Sequence, residues 1–110
     1  MNVQDLAQTF GALADPTRVA IVATLAHGDA TVKELTEPFD LTQQAVSRHL
    51  KVLEEAGLVS RRVAAQARPA TLEVDRLIEV LAWIDEQRRG WLDRHSRLEE
   101  HLRRLTKDER

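Results

Sequence analysis

Residues 42–57 read TQQAVSRHLKVLEEAG, and as a helix this stretch presents two chemically unlike faces. Val46, Leu50 and Leu53 fall at i, i+4 and i+7, an apolar stripe that must meet a core. The opposite stripe carries Gln43, Gln44, Ser47, Arg48 and Lys51, with no carboxylate before Glu54. Amide, hydroxyl, guanidinium and ammonium groups are the types that pair with base edges and phosphates. Thr42 is placed to cap the start of the helix, and Gly57 to end it where the chain turns with φ > 0. An ordinary solvated face of Gln, Ser, Arg and Lys is the plain alternative, so the flanking segments decide between the two.

Upstream, Val3, Leu6, Phe10 and Leu13 are spaced by three and four, which predicts an amphipathic helix over 3–13. Asp15-Pro16 restarts the chain, with Asp15 as N-cap and Pro16 at the first helical position, where its missing N–H costs nothing. Val19, Ile21, Val22 and Leu25 continue this second helix to His27-Gly28, and His27 suits the negative end of its dipole. Thr31 and Glu34 form a capping box for a third helix, which Pro38 keeps short. A connection of roughly four residues, 39–42, then leads into the quoted stretch. Two short helices joined so tightly predict a helix-turn-helix whose second helix is the reading element.

Downstream the period changes. Residues 58–63 and 70–74 are short β-leaning runs that flank a turn over 64–69, and a hairpin directly after a reading helix has the layout of a wing. Its basic residues Arg61, Arg62 and Arg68, with Thr42 and Lys51 from the helix, are phosphate-binding candidates. Beyond the wing, Leu77, Leu81, Ile84, Arg88, Trp91, His95, Leu98, Leu102 and Leu105 recur at alternating intervals of four and three, a heptad seam on one long helix. Ile78, Val80 and Trp83 widen its apolar face early; after Trp91 only the seam remains. Such a helix packs first on its own domain and then on a second copy, with Arg88 and His95 as polar interruptions that set register. Gly90 costs this helix about 1 kcal/mol relative to Ala, and marks a kink or a close approach of two backbones.

Composition bounds the rest. With 110 residues and 43% hydrophobic content the chain is expected to form one mainly α domain with a small β-hairpin, residues 1–74 as the body and 75–106 as the dimerisation helix. There are no cysteines, which excludes disulfides and thiolate metal sites. No signal-like segment and no apolar run of about 18 residues is present, so a cytoplasmic protein without a membrane partner is expected. The net charge of −2 hides a division. Before residue 42, Arg18 and Lys33 face six acidic groups; over 42–71, Arg48, Lys51, Arg61, Arg62 and Arg68 face only Glu54 and Glu55. No G-x-S-x-G, H-E-x-x-H or phosphate-cradling glycine loop occurs, so an enzyme is not expected.

LADPTR at residues 13–18 and AVSRHLKVLEEAGLV at residues 45–59 carry a resemblance to the ArsR family of winged-helix repressors, which extends over roughly 6–77. The resemblance implies a winged helix-turn-helix fold and a homodimeric repressor, paired through its first and last helices, that binds an inverted-repeat operator on double-stranded DNA. It points to Gln43, Gln44, Ser47 and Arg48 as base-reading residues, and to Leu6, Phe10, Ile84, Trp91, Leu98 and Leu102 as pairing residues. Metal-sensing members carry cysteines near the end of the third helix; here ELTEPFD at residues 34–40 has none, which places the chain in a branch without that motif. Other members hold zinc between paired last helices. Asp93, His95, Glu99 and His101 offer ligands here, but no second histidine pair stands at the family's spacing, so no metal or cofactor is assigned and a metal-responsive repressor is kept as an alternative. A further alternative is a protein-interaction module acting through the last helix. Trp83 and Trp91 lie outside the basic block and read as packing residues, and Arg18 as a ligand of helix termini or of phosphate. No residue pattern identifies an effector.

Overall fold

The computed structural model describes residues 1–62 and 68–108. Helices α1 (Val3–Ala12), α2 (Pro16–Leu25), α3 (Val32–Thr36) and α4 (Gln43–Glu55) precede a two-stranded antiparallel sheet, β1 (Val59–Arg61) with β2 (Ala70–Leu72), and the chain ends in α5 (Val74–Asp108). Two compact units result, residues 1–77 and 78–110. The fold is a winged helix-turn-helix followed by a long C-terminal helix.

Each early helix begins where a side-chain oxygen satisfies a free backbone N–H. Asn2 accepts from the Asp5 amide at 2.8 Å, Asp15 from Arg18 at 3.1 Å, and Thr42 from Ala45 at 3.1 Å. At α3 the box is reciprocal: the Glu34 amide donates to Thr31 Oγ1 at 3.3 Å, and the Thr31 amide donates to Glu34 Oε1 at 3.1 Å. The helix ends at Thr36, one residue before the C-cap Glu37. The connection to α4 is therefore residues 37–42, longer than the expected four, because Pro38 supplies no N–H to prolong the ladder.

The core of the first unit gathers around α4. Val46, Leu50 and Leu53 are all 0% exposed, and Ile21, Leu25, Leu35 and Leu58 close over them. Burying each such side chain is worth about 1.5–3 kcal/mol. Gly57 follows α4 at φ +76, a backbone conformation that favours glycine; a Cβ there would come within 2.6 Å of the Arg76 guanidinium, which would have to move aside.

The wing strands are shorter than the runs expected from sequence, three residues each, in the register Val59↔Leu72, Ser60↔Thr71 and Arg61↔Ala70. The Val63 strand end and most of the expected turn, residues 64–67, lie outside the described residues. A reciprocal bridge between Ala30 and Ala70, at 3.2 and 2.7 Å, ties the sheet to the α2–α3 connection.

In the second unit α5 runs unbroken through Gly90. A Cβ at Gly90 would meet nothing within 4 Å, so no group of this chain demands a glycine there. Acid-to-base pairs line the helix: Asp85 with Arg88 and Arg89, each at 2.8 Å, Asp93 with Arg97 at 2.9 Å, and Glu100 with Arg104 at 3.5 Å. Exposed pairs of this kind contribute a few tenths of a kcal/mol each, and they hold the arginines along the helix surface. No helix among the described residues is long and apolar enough to cross a membrane.

The caps make stability depend on pH with a defined sign. The Arg18 backbone N–H lowers the Asp15 pKa, and the Thr31 backbone N–H lowers that of Glu34. A carboxyl group more acidic folded than unfolded stabilises above its unfolded pKa and loses that contribution as pH falls through its folded one. The thermal unfolding midpoint is expected to drop as pH falls through about 4 and below. Asp15→Asn with Glu34→Gln should lower the midpoint at neutral pH and flatten this acid limb, as read by circular dichroism melts.

Candidate nucleic-acid interface

The residues singled out on α4 occupy the side opposite its buried stripe. Gln43, Gln44, Arg48 and Lys51 are exposed and Ser47 is half-buried, while Thr42 is engaged as the N-cap. Among the described residues no side-chain hydrogen bond or ion pair engages Gln43, Gln44, Ser47, Arg48 or Lys51. Their donors are therefore available to a ligand, and α4 carries no acidic residue in its first turn to repel an anion.

The wing arginines are less uniform. Arg68 is exposed and, through its backbone carbonyl, accepts from Arg61 Nε at 3.0 Å across the hairpin. Arg62 is exposed but its guanidinium pairs with the Asp29 carboxylate, which lies just before the Ala30 bridge. A phosphate reaching Arg62 would have to share it with Asp29. Asp29 holds no periodic position, so no sequence pattern marks it as that partner.

Arg18 is a structural residue. Its Nε donates to the Ala12 carbonyl at 2.6 Å and an Nη to that of Gly11 at 3.4 Å, both at the C-terminal end of α1, where helical carbonyls lack partners. Its other Nη stands 3.2 Å from Nδ1 of His49 on α4, a half-buried side chain whose Nδ1 is also 3.9 Å from an Asp15 carboxylate oxygen. Thr9, fully buried on α1, donates to the Asp5 carbonyl at 2.9 Å and approaches the Ala56 carbonyl at the end of α4 at 3.4 Å. Neither His49 nor Thr9 stands out in the sequence. His49 lies beside the apolar stripe of α4, and that flanking position is the only sequence signal it carries.

Of the residues expected at a pairing surface, Leu6 is already covered within its own chain, whereas Phe10 is 37% exposed. On α5, Ile84, Trp91, Leu98 and Leu102 are all large and exposed, Trp91 at 56% and Leu98 at 54%. Trp91 stacks on His95 with ring centroids 4.6 Å apart and planes 12° from parallel. Among the described residues no three His, Asp or Glu side chains converge in a way that would hold a metal ion.

Comparison with known proteins agrees with this architecture. A helix-turn-helix domain family matches residues 13–62. The chain is 50% identical over 66 residues to the HTH-type transcriptional regulator Rv2034 of Mycobacterium tuberculosis, covering 60% of this chain and 62% of that protein. It thus spans about three fifths of that relative's length. Against the transcriptional repressor SdpR of Bacillus subtilis it is 31% identical, over 68% of this chain and 83% of that one. The crystal structure of the ArsR family transcriptional regulator RHA00566 matches with a TM-score of 0.75 at 37% identity, covering 79% of this chain and 96% of that one. With its two sequence signatures, LADPTR and AVSRHLKVLEEAGLV, on the helices of a winged helix-turn-helix, the chain belongs to the ArsR family.

Proposed function

We propose that the protein is a sequence-specific DNA-binding transcriptional regulator, a cytoplasmic homodimeric repressor that binds an inverted-repeat operator. The observation that carries this reading is the division of α4: three apolar residues at 0% exposure on one side, and a row of unengaged, carboxylate-free donors on the other. Gln43, Gln44, Ser47 and Arg48 read base edges in the major groove, where amides and guanidinium groups make bidentate contacts. Thr42 and Lys51, with Arg61, Arg62 and Arg68 from the wing, lie on phosphates and fix the orientation. The name of SdpR as a repressor supports the direction of regulation.

Residues 1–74 serve as the reading body and 75–106 as the pairing element of one functional unit. The exposed apolar row on α5, together with Phe10, supports pairing with a second copy. Two-fold pairing sets two reading helices about 34 Å apart, which an inverted repeat matches. The same row also favours a second reading, in which α5 binds a different protein and α4 contributes nothing. An Arg48→Ala variant with undiminished partner binding and no DNA affinity in the parent would select that reading.

Enrichment of bound duplexes from a random-sequence pool tests the main reading, and a two-fold-symmetric site is the expected product. On that site Ser47→Ala or Gln43→Ala should cost roughly 1–3 kcal/mol while barely altering affinity for random duplex. Equal losses on both would mean these side chains do not read sequence. Trp91→Glu with Leu98→Glu should yield monomers in sedimentation and abolish operator binding, and a dimer of undiminished strength would reject the seam.

A further inference from the structure

Apolar burial is non-directional: the stripe Val46, Leu50, Leu53 determines which side of α4 is hidden, but it resists small rotations and slides of the helix only weakly. Hydrogen bonds are directional, and the tie between Arg18 and His49 joins the side chains of α2 and α4 in polar contact.

A guanidinium offers only donors and stays protonated, so at 3.2 Å from Arg18 the Nδ1 of His49 is the acceptor. This bond requires the tautomer with its proton on Nε2. The same guanidinium is anchored on its other edge by the Ala12 and Gly11 carbonyls, and its own backbone N–H is held by Asp15. Arg18 is thus clamped to the end of α1 and the start of α2, and His49 is what it presents to α4. His49 follows directly on Arg48 and lies two residues from Ser47 and Lys51. A shift of His49 moves them all.

We propose that Arg18 and His49 form a positioning couple that sets the orientation of α4 against the α1–α2 corner, and so determines how well the exposed face of α4 discriminates between duplex sequences. The inference rests on the proposed DNA-reading function and deepens it: neither residue is assigned a contact with DNA. Base discrimination requires side chains held to within about half an ångström, whereas fold stability and phosphate attraction tolerate more. Loss of the couple should therefore reduce specificity before it reduces stability.

The test uses the full chain and two duplexes, the sequence enriched by the parent protein and a random sequence of equal length, with affinities read by fluorescence anisotropy. His49→Leu removes the acceptor. His49→Asn returns a polar atom close to the position of Nδ1. His49→Leu is expected to lower the ratio of the two affinities roughly ten-fold with random-duplex affinity and oligomeric state unchanged, and His49→Asn to restore most of it. A ratio that His49→Leu leaves intact, an equal loss on both duplexes, or an Asn variant no better than Leu would overturn the couple. Should His49→Leu fail to fold, Arg18→Lys, which keeps the charge and loses the planar fork, is read the same way, and an unchanged ratio overturns it. A parent protein with no preference between duplexes removes the functional reading and this inference with it. A parent preference that survives in the variants removes this inference alone.

Discussion

Helix α4 has to be a core helix and a surface helix at once. Its thirteen residues bury Val46, Leu50 and Leu53 completely, and the other three helices of the first unit are arranged to make that burial possible. Ile21 and Leu25 come from α2 and Leu35 from α3, while Leu58 returns from the start of the wing. A polar residue in that stripe would leave an unpaired group in the core, and an apolar one on the opposite side would remove a donor from the exposed face. The rest of the unit is a consequence of satisfying both demands with one helix.

Charge follows the same division. The chain is slightly acidic, yet six of its eighteen acidic groups are committed to local tasks: Asp15 and Glu34 cap helices, Asp29 holds Arg62, and Asp85, Asp93 and Glu100 pair with arginines one turn along α5. Along the exposed row of α4 before Glu54, the charged side chains are Arg48 and Lys51, both positive. A formal net charge of −2 is thus compatible with an anion-attracting face, because the field near a surface depends on which charges are locally neutralised rather than on the total.

Local chemistry made much of this legible in the sequence. Caps at Asp15, Thr31 and Thr42, the capping-box partner Glu34, and the terminating Gly57 each act within three or four residues, so their roles can be read directly and the helices begin where they say. Heptad spacing likewise gave the long last helix. Contacts between distant segments were not legible. The pairing of Arg62 with Asp29 spans 33 positions and that of Arg18 with His49 spans 31; neither is announced by spacing, because the approach depends on how α2, α4 and the sheet pack. The short strands and the early end of α3 escaped for a related reason: β-leaning composition and a single proline limit an element without locating its end. Leu6 shows the limit of reading faces from periodicity alone, since a residue on an amphipathic stripe is covered by its own chain or by a partner with the same spacing.

The central claim, that the exposed face of α4 meets a duplex, is tested most directly by titrating isotope-labelled protein with its enriched duplex and following amide shifts by NMR. The account predicts that the largest shifts fall on the first three turns of α4 and on Arg61, Arg62 and Arg68. Shifts confined to α5 beyond Trp91, with α4 unmoved at saturating duplex, would contradict it.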